Sequence, residues 1–171
     1  MELSAGPPFR GNRAYIGMGS NVGDSLGTLR AAAVRLGELG SIAAASPVYE
    51  TAPVGYEQQP DFLNAVVALD TTLEPEPLLA AMLDIENAFR RERTIRFGPR
   101  TLDLDLIWYG GRTMRSARLI LPHPRAHERE FVLRPLADIA PGLELGGVRV
   151  DALLAGLPSQ GVSPAAQPLM D

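Results

Sequence analysis

Segments with strand character come in pairs between segments with helical character, and this order constrains the possible folds more than any other feature of the sequence. The strand patterns lie at residues 14–19, 42–49, 62–72 and 102–109. One helical pattern begins after Asp24, and another begins at Pro75, where proline suits a first helical turn. A chain that alternated single strands with helices would favour a parallel sheet. The order seen here predicts an α+β fold in which helices cover both faces of a largely antiparallel sheet.

The patterns are weaker towards the two ends of the chain. After the last clear strand there follow an irregular stretch at 119–130, a short helix within 131–139, and a short strand with a helical turn at 148–157. Residues 1–12 and 158–171 are rich in small and polar residues and offer little apolar surface to bury. We therefore expect one catalytic domain at residues 13–157, flanked by two flexible terminal extensions.

Composition excludes several classes of function. The formal net charge of −4 has the wrong sign for a nucleic-acid binder. The chain contains no cysteine, which excludes disulfides and thiolate metal sites and fits a reducing cytoplasm. All 16 basic residues are arginine, so neither a Walker A loop nor a catalytic lysine is available. No apolar stretch has the ~18 residues of a membrane helix, and no secretory signal is present at residues 1–12. We expect a cytoplasmic protein that binds neither membrane nor nucleic acid.

Two aspartates share one face of the strand at 102–109. Side chains alternate along a strand, so Asp103 and Asp105 point to one face and the neighbouring leucines to the other. Two carboxylates about 7 Å apart repel each other unless a cation lies between them. Oxygen ligands of this kind suit Mg²⁺, which also binds substrate phosphates. A solvated acidic face on an edge strand would explain the same pattern, and the two aspartates alone do not decide.

Five arginines precede this strand, between residues 90 and 100. Gly98 and Pro99 break the helix, so the later arginines lie in a loop that leads into the acidic strand. Cations are also favourable at a helix C-terminus, so a solvated arginine face is the alternative. An arginine cluster beside two carboxylates has the polarity needed to hold a polyphosphate between guanidinium groups and Mg²⁺. The combination favours phosphoryl chemistry.

Two motifs that suggest other sites fail on spacing or context. In residues 17–23, Gly-Met-Gly-Ser-Asn-Val-Gly, the third glycine comes one residue late for a dinucleotide-binding fingerprint. These glycines are expected to let the backbone approach a neighbour or to reverse the chain. His123 and His127 have the spacing of a zinc-binding pair, but Pro124 lies between them. With arginines nearby, His123 is a candidate phosphate contact and His127 a surface residue.

Five sequence blocks resemble the hydroxymethyldihydropterin pyrophosphokinase family. The longest and most specific block is residues 97–107, Phe-Gly-Pro-Arg-Thr-Leu-Asp-Leu-Asp-Leu-Ile. The others are residues 16–21, 49–53, 59–64 and 121–123, and all five occur in the order that the family shows. The resemblance implies a ferredoxin-like α+β core with an ATP site and a pterin site side by side. It also implies transfer of a diphosphate from ATP to 6-hydroxymethyl-7,8-dihydropterin, with release of AMP, in folate biosynthesis.

The same resemblance implies roles for residues on the nucleotide side. Asp103 and Asp105 would bind two Mg²⁺ ions that bridge the ATP phosphates and the pterin hydroxymethyl oxygen, and this oxygen would attack the β-phosphorus. Arg91 and Arg100 would neutralise charge at the transferring group and complete the catalytic set. The implied ATP-binding residues are Arg91, Arg93, Arg100, Arg118, His123 and Arg129.

On the pterin side, the resemblance implies an edge-recognition set and an aromatic set. The first consists of Thr51, Pro53, Val54 and Asn64, and the second of Phe62, Phe97 and Phe131. Asn21 and Glu86 would be supporting residues. The chain departs from the family pattern at Phe97, where tryptophan is common, and at Phe62, where tyrosine is common. ATP and the pterin alcohol are the implied partners, and no obligate protein partner is expected.

Two other functions use some of the same features. A two-metal phosphohydrolase or nucleotidyltransferase would use the two aspartates and release phosphate or pyrophosphate without any pterin. A ferredoxin-like module that binds single-stranded RNA would use the arginine segment and Phe97 and would not need Mg²⁺. The negative net charge and the few aromatic residues argue against the RNA-binding alternative.

Overall fold

The computed structural model describes residues 11–21, 23–52, 61–90 and 102–170, and for Arg90 the backbone alone. Its strands are β1 (Asn12–Ser20), β2 (Ser41–Ala45), β3 (Tyr49–Thr51), β4 (Phe62–Thr71), β5 (Asp103–Tyr109), β6 (Met114–Arg115), β7 (Ile120–Leu121), β8 (Glu144–Leu145), β9 (Val148–Arg149) and β10 (Val162–Pro164). Its α-helices are α1 (Ser25–Gly37), α2 (Pro75–Arg90), α3 (Glu130–Ile139) and α4 (Val150–Ala155). A short 3₁₀ turn at Ala126–Glu128 precedes α3.

A six-stranded sheet forms the centre of the domain, with five strands in the order β10-β3-β4-β1-β5 and the sixth, β2, paired with β4. The strands β2 and β3 pair with successive halves of β4, and every pairing among the described strands is antiparallel. The pairs β6–β7 and β8–β9 form two small separate sheets. The predicted α+β class, with a ferredoxin-like and largely antiparallel sheet, is therefore confirmed.

The sheet buries both of its faces because its strands alternate between two apolar layers. Side chains such as Ile16 and Val67 point to the layer formed with α1 and α2. Tyr15, Val66 and Ile107 point to the opposite layer, which α3 and α4 cover. Helices on both faces were expected from the sequence, and the structure has them. Over the described stretches of the chain, no helix is both long and apolar enough to cross a lipid bilayer.

Local signals set the ends of the first two helices. The carboxylate of Asp24 accepts a hydrogen bond from the backbone N–H of Gly27 at 2.9 Å, which satisfies one of the unpaired donors at the start of α1. The helix α2 begins at Pro75, as predicted. Its residues Leu78 and Met82 are buried against the sheet, since they lie on one helical stripe.

The segment predicted as a single strand at 42–49 is two strands. Pro47 lies between β2 and β3 and has no backbone N–H to donate to a neighbouring strand. Ser46 bridges the gap, because its backbone N–H donates to Val66 and its hydroxyl accepts from the Val66 N–H, both at 2.9 Å. The interruption lets β3 continue along β4 as far as Thr51.

The expectation of a flexible extension at residues 158–171 is wrong for the described part, 158–170. Residues Val162–Pro164 form β10, which pairs with β3. Leu169 is only 1% exposed and packs in the layer of α1 and α2. The error has a physical cause: a strand at a sheet edge pairs through its backbone, so a segment with few apolar side chains can still be ordered. The predicted N-terminal extension lies mostly outside the described residues, and β1 already begins at Asn12.

Candidate active site

The two predicted acidic residues lie beside a glycine-lined stretch of the central strand. Gly17 and Gly19 of β1 pair directly with Asp105 and Asp103 of β5, so all four residues are on the same face of the sheet. Gly17 and Gly19 lie inside β1, within the strand predicted at residues 14–19, and their missing side chains leave an open floor next to the carboxylates.

Gly19 also lets Asn64 approach the backbone from the other side. Asn64 of β4 is the partner of Gly19 in the β1–β4 pairing. A Cβ atom placed on Gly19 would lie 3.0 Å from Asn64 Oδ1, which is tighter than nearly all real contacts. One of the two functions suggested for these glycines, close backbone approach, therefore holds at this position.

Asn64 and Thr51 form a hydrogen-bonded pair. Asn64 Nδ2 donates to Thr51 Oγ1 at 3.0 Å, and both side chains are buried. The strand β1 lies between β4, which carries Asn64, and β5, which carries the two aspartates. The amide and the carboxylates are therefore two strand spacings apart, about 10 Å. The floor thus has an amide and a hydroxyl on one side and two carboxylates on the other.

These groups open into one cavity of about 360 Å³ between the sheet and the N-terminus of α3. Its described lining residues are Gly17, Met18, Gly19, Thr51, Ala52, Phe62, Asn64, Ala65, Val66, Asp103, Asp105, Arg129, Phe131, Val132 and Gln160. The volume suits a small heterocycle, and the mixture of aromatic, amide and carboxylate groups suits a planar ligand that has a charged or metal-bound end.

The wall opposite the sheet is formed by the start of α3. The guanidinium carbon of Arg129 lies 5.6 Å from the centre of the Phe131 ring, within the range of a cation–π contact. Both residues are partly buried and line the cavity. The wall therefore presents an aromatic ring and a positive charge side by side.

His123 lies next to the acidic pair. Its Nε2 is 3.9 Å from Asp105 Oδ1, and its Nδ1 accepts a hydrogen bond from the backbone N–H of Arg125 at 3.2 Å. Burial is the main cause that lowers the pKa of His123 below its ordinary value. The charge of Asp105 opposes this shift, while two nearby arginines add to it. The lowered pKa favours the neutral imidazole, and the hydrogen bond accepted by Nδ1 leaves Nε2 as the nitrogen that faces Asp105.

Glu86 holds the strand that carries the aspartates. This carboxylate of α2 is 7% exposed and accepts a hydrogen bond from the backbone N–H of Leu104 at 2.7 Å. Leu104 lies between Asp103 and Asp105, so the bond fixes the backbone at the centre of the pair. The supporting role predicted for Glu86 stays a prediction, and this hydrogen bond is the contact that would serve it.

The structure brings together most of the predicted residues that it describes. Those lining the cavity are Thr51, Phe62, Asn64, Asp103, Asp105, Arg129 and Phe131. His123 contacts its edge, and Asn21 is buried at the end of β1. Arg118 is exposed in the turn between β6 and β7 and is not among the described lining residues. The remaining predictions fall outside the described residues: Arg91, Arg93, Arg100, Pro53, Val54 and Phe97.

Sequence reasoning missed Gln160, which belongs to the segment that was expected to be flexible. Gln160 lines the cavity and makes hydrogen bonds to the residues that precede and begin α3. Ala52 and Val132 also line the cavity without having been singled out. A glutamine and two small apolar residues carry no recognisable spacing signal, so only the fold reveals their position.

The carboxylates of Asp103 and Asp105 are the described groups that could hold a metal. Among the residues that the structure describes, no three or more His, Cys, Asp or Glu side chains converge in the way that a metal cage made only of protein ligands requires. Mg²⁺ fits such a site, because it prefers oxygen ligands and completes its shell with water and substrate phosphates.

Sequence comparisons point to one family. The model of the family described as 7,8-dihydro-6-hydroxymethylpterin-pyrophosphokinase matches residues 15–141. A 2-amino-4-hydroxy-6-hydroxymethyldihydropteridine pyrophosphokinase of Methylorubrum extorquens is 46% identical over 152 residues, covering 88% of this chain and 96% of that protein. The Bacillus subtilis protein of the same name is 45% identical over 135 residues, covering 78% and 81%.

Structural comparisons agree on the fold. A crystal structure of Plasmodium falciparum HPPK-DHPS superposes with a TM-score of 0.70 at 16% identity, covering 88% of this chain and 46% of that chain. A second has a TM-score of 0.69 at 15% identity, with 85% and 43% covered. The chain therefore spans less than half the length of these HPPK-DHPS chains. At such low identity the likeness shows the shared fold alone.

Proposed function

The chain belongs to the 7,8-dihydro-6-hydroxymethylpterin-pyrophosphokinase family, and from this premise we propose that the cavity between the sheet and α3 is its active site. The chain is a pyrophosphokinase of folate synthesis that transfers a diphosphate from ATP to the hydroxymethyl group of the dihydropterin. In this reaction a bond forms between the hydroxymethyl oxygen and the β-phosphorus. The bond from the β-phosphorus to the departing AMP oxygen breaks, and the hydroxyl proton is lost.

One observation carries the assignment of the site. The acidic pair Asp103 and Asp105 and the hydrogen-bonded pair Thr51 and Asn64 line the same cavity, on opposite sides of β1. A pterin bound against the amide side would have its hydroxymethyl group directed towards the carboxylates. A single cavity would thus hold both the pterin acceptor and the ATP that donates the diphosphate.

We assign Asp103 and Asp105 as the residues that hold two Mg²⁺ ions with ATP. Bound there, Mg²⁺ would neutralise the polyphosphate charge and make the attacking hydroxyl more acidic. Both carboxylates come from one face of β5, and Glu86 fixes the backbone between them through the Leu104 N–H. This fixed spacing supports their role as a preorganised pair.

Arginine charge completes the nucleotide side of the proposal. Arg129 presents its guanidinium on the wall opposite the carboxylates, so it can bind phosphate oxygens across the cavity. His123 Nε2 lies 3.9 Å from Asp105 Oδ1, so it is placed to donate to a phosphate bound beside the carboxylates. Arg91, Arg93, Arg100 and Arg118 remain proposed ATP contacts, and Arg91 and Arg100 would act on the transferring group.

On the pterin side, Asn64 and Thr51 are assigned to the edge of the heterocycle. An amide can both donate to and accept from a pterin edge, which carries donors and acceptors side by side. Phe62 and Phe131 line the same cavity and can pack against the ring. Pro53, Val54 and Phe97 remain proposed pterin contacts.

AMP formation from ATP tests the proposal. The purified chain is incubated with ATP and Mg²⁺, with and without the pterin alcohol, and in parallel with a chelator. We expect AMP only when ATP, Mg²⁺ and the pterin alcohol are all present. Release of phosphate or pyrophosphate without pterin would favour a phosphohydrolase or nucleotidyltransferase. Salt-sensitive RNA binding without Mg²⁺ would favour the RNA-binding alternative.

A further inference from the structure

We propose that residues 159–170, which we call the C-terminal strap, fix the shape of the substrate cavity, and that Gln160 is a positioning residue for the wall formed by Arg129 and Phe131. The proposal rests on the function proposed above for this cavity. It follows from three sets of contacts: at the start of α3, along β3, and in the layer of α1 and α2.

Gln160 caps a helix that has no cap of its own. Arg129 occupies the N-cap position of α3 and makes no side-chain capping bond. The backbone N–H of Glu130, in the first turn, donates instead to Gln160 Oε1 at 3.0 Å. N–H groups at a helix start lack partners within the helix, so a residue from a distant segment supplies the acceptor.

Two further hydrogen bonds tie the strap to the same place. The backbone N–H of Gln160 donates to Glu130 Oε1 at 2.7 Å, and Gln160 Nε2 donates to the carbonyl of Glu128 at 3.0 Å. The Glu130 residue is only 3% exposed, and its other oxygen accepts from Arg134 Nε at 2.7 Å. A buried carboxylate is costly unless hydrogen-bonded, so the strap also satisfies Glu130.

These bonds act on the cavity because of where Glu130 lies in the sequence. Arg129 and Phe131 flank it directly, and both line the cavity. A loosened first turn would therefore shift the ring and the positive charge together. Gln160 itself reaches the cavity rim.

The strap also supports the opposite side of the cavity. Val162 of β10 pairs with Thr51 of β3, whose hydroxyl accepts from Asn64. Further along, the backbone N–H of Ala165 donates to the carbonyl of Val48 at 2.8 Å. One continuous segment thus holds both the helix wall and the strand that carries Thr51.

The end of the strap is anchored away from the cavity. Arg30 Nη2 of α1 donates to the carbonyl of Pro168 at 2.8 Å. Leu169 is buried in the layer of α1 and α2. This anchor keeps the strap in place independently of Gln160, so a change at Gln160 tests the positioning role without releasing the whole segment.

The variant Gln160→Leu tests the proposal. It removes the capping acceptor and the Nε2 donor but keeps the backbone bond to Glu130 and a similar size. We expect the KM for the pterin alcohol to rise about tenfold, equivalent to about 1.4 kcal/mol, while kcat stays within about threefold of wild type. Hydrogen exchange at the amides of residues 130–132 should become faster. The control Ser163→Ala changes an exposed side chain of the same strap and should leave KM, kcat and the exchange rates unchanged.

A purely structural role would lower the melting temperature and leave KM unchanged, and this result would overturn the proposal. Unchanged KM and unchanged exchange would overturn it as well. If Gln160→Leu does not fold, the same measurements on Gln160→Asn, whose amide is one methylene shorter, decide the question. If the wild-type chain forms no AMP, the proposed function fails. Hydrogen exchange then still shows whether Gln160 orders α3.

Discussion

Asp103 and Asp105 point into the same cavity because three constraints on β5 agree. Strand alternation puts both on one face, the leucines between and beside them are buried on the other, and the glycines of β1 leave space in front of them. A register shift by one residue would bury the carboxylates and expose the leucines. The register of the strand is therefore set by its apolar face, while its acidic face lines the cavity.

Replacing either aspartate should abolish turnover without affecting the fold. Asp103→Ala and Asp105→Ala each remove a proposed metal ligand, and we expect AMP formation to fall at least about 100-fold, since one such electrostatic contribution is worth ~3–4 kcal/mol in the barrier. Steady-state rates at saturating Mg²⁺ measure this. Asp84→Ala, an exposed carboxylate of α2, is the matched control. Two folded variants that keep more than a tenth of the wild-type rate would disprove this role.

Asn64 tests the other side of the cavity. Asn64→Ala removes the hydrogen bond to Thr51 and the proposed contact with the pterin edge. We expect pterin affinity to fall by about 10- to 100-fold, because buried polar groups left unpaired cost ~1–3 kcal/mol. Calorimetric titration with the pterin alcohol and a non-hydrolysable ATP analogue measures it. Asn87→Ala, exposed on α2, should bind as the wild type does. Equal affinities for wild type and Asn64→Ala would remove Asn64 from the pterin site.

At the scale of elements, a hydrogen bond between two titratable side chains joins β3 to α3. The Tyr49 hydroxyl donates to Asp138 Oδ2. Burial, together with this hydrogen bond to a carboxylate, raises the pKa of Tyr49 to about 12. The folded state thus favours the neutral phenol. The resulting stabilisation is complete below the unfolded pKa, about 10, and is lost as pH rises towards about 12.

Tyr49→Phe should therefore remove part of the alkaline pH dependence of stability. We expect the unfolding free energy to fall by about 1 kcal/mol at pH 8, because one hydrogen bond is lost. Between pH 10 and about 12 the variant should lose less stability than the wild type. Urea unfolding at a series of pH values measures both effects. Parallel curves for the two proteins over that interval would show that Tyr49 does not contribute.

Residues Val162–Pro164 form a strand of the sheet, and removing the segment that contains them should lower the stability of the fold. Deleting residues 158–171 removes β10 and the buried Leu169, and burial of one leucine alone contributes about 1.5–3 kcal/mol. We expect the melting temperature to fall by more than about 5 °C. Deleting residues 2–10, predicted from the sequence to be a loose extension, is the control and should have little effect. A C-terminal truncation that melts within about 2 °C of the full chain would contradict the structural role.

The elements differ in how well the sequence predicted them. The helices α1 and α2 follow from apolar periodicity and local end signals such as Asp24 and Pro75, which act within a few residues. The strand β10 could not be predicted in this way, because its stability comes from backbone pairing with β3, more than 100 residues earlier in the chain. The split of β2 from β3 at Pro47 could have been predicted, since proline has no N–H to donate.

At the scale of the whole molecule, the site combines groups from distant parts of the chain. Alternation along β5 predicted that the aspartates share a face, and the family resemblance supplied the residues proposed for the pterin side. Neither the alternation nor the resemblance could show that Gly17 and Gly19 leave open space between the aspartates and Asn64. That space depends on the pairing of β1 with both β4 and β5. Gln160 was missed for the same reason, since its partners Glu128 and Glu130 are about 30 residues away.

The fate of labelled phosphorus tests the central claim most directly, namely that this cavity moves the β- and γ-phosphates of ATP as one unit to a pterin. ATP labelled at either the α- or the β-phosphorus is incubated with the chain, Mg²⁺ and the pterin alcohol, and the products are separated. We predict that the α-label appears in AMP and the β-label in the pterin diphosphate, in equal amounts and only with pterin present. A β-label recovered in ADP, or in phosphate or pyrophosphate released without pterin, would contradict the account.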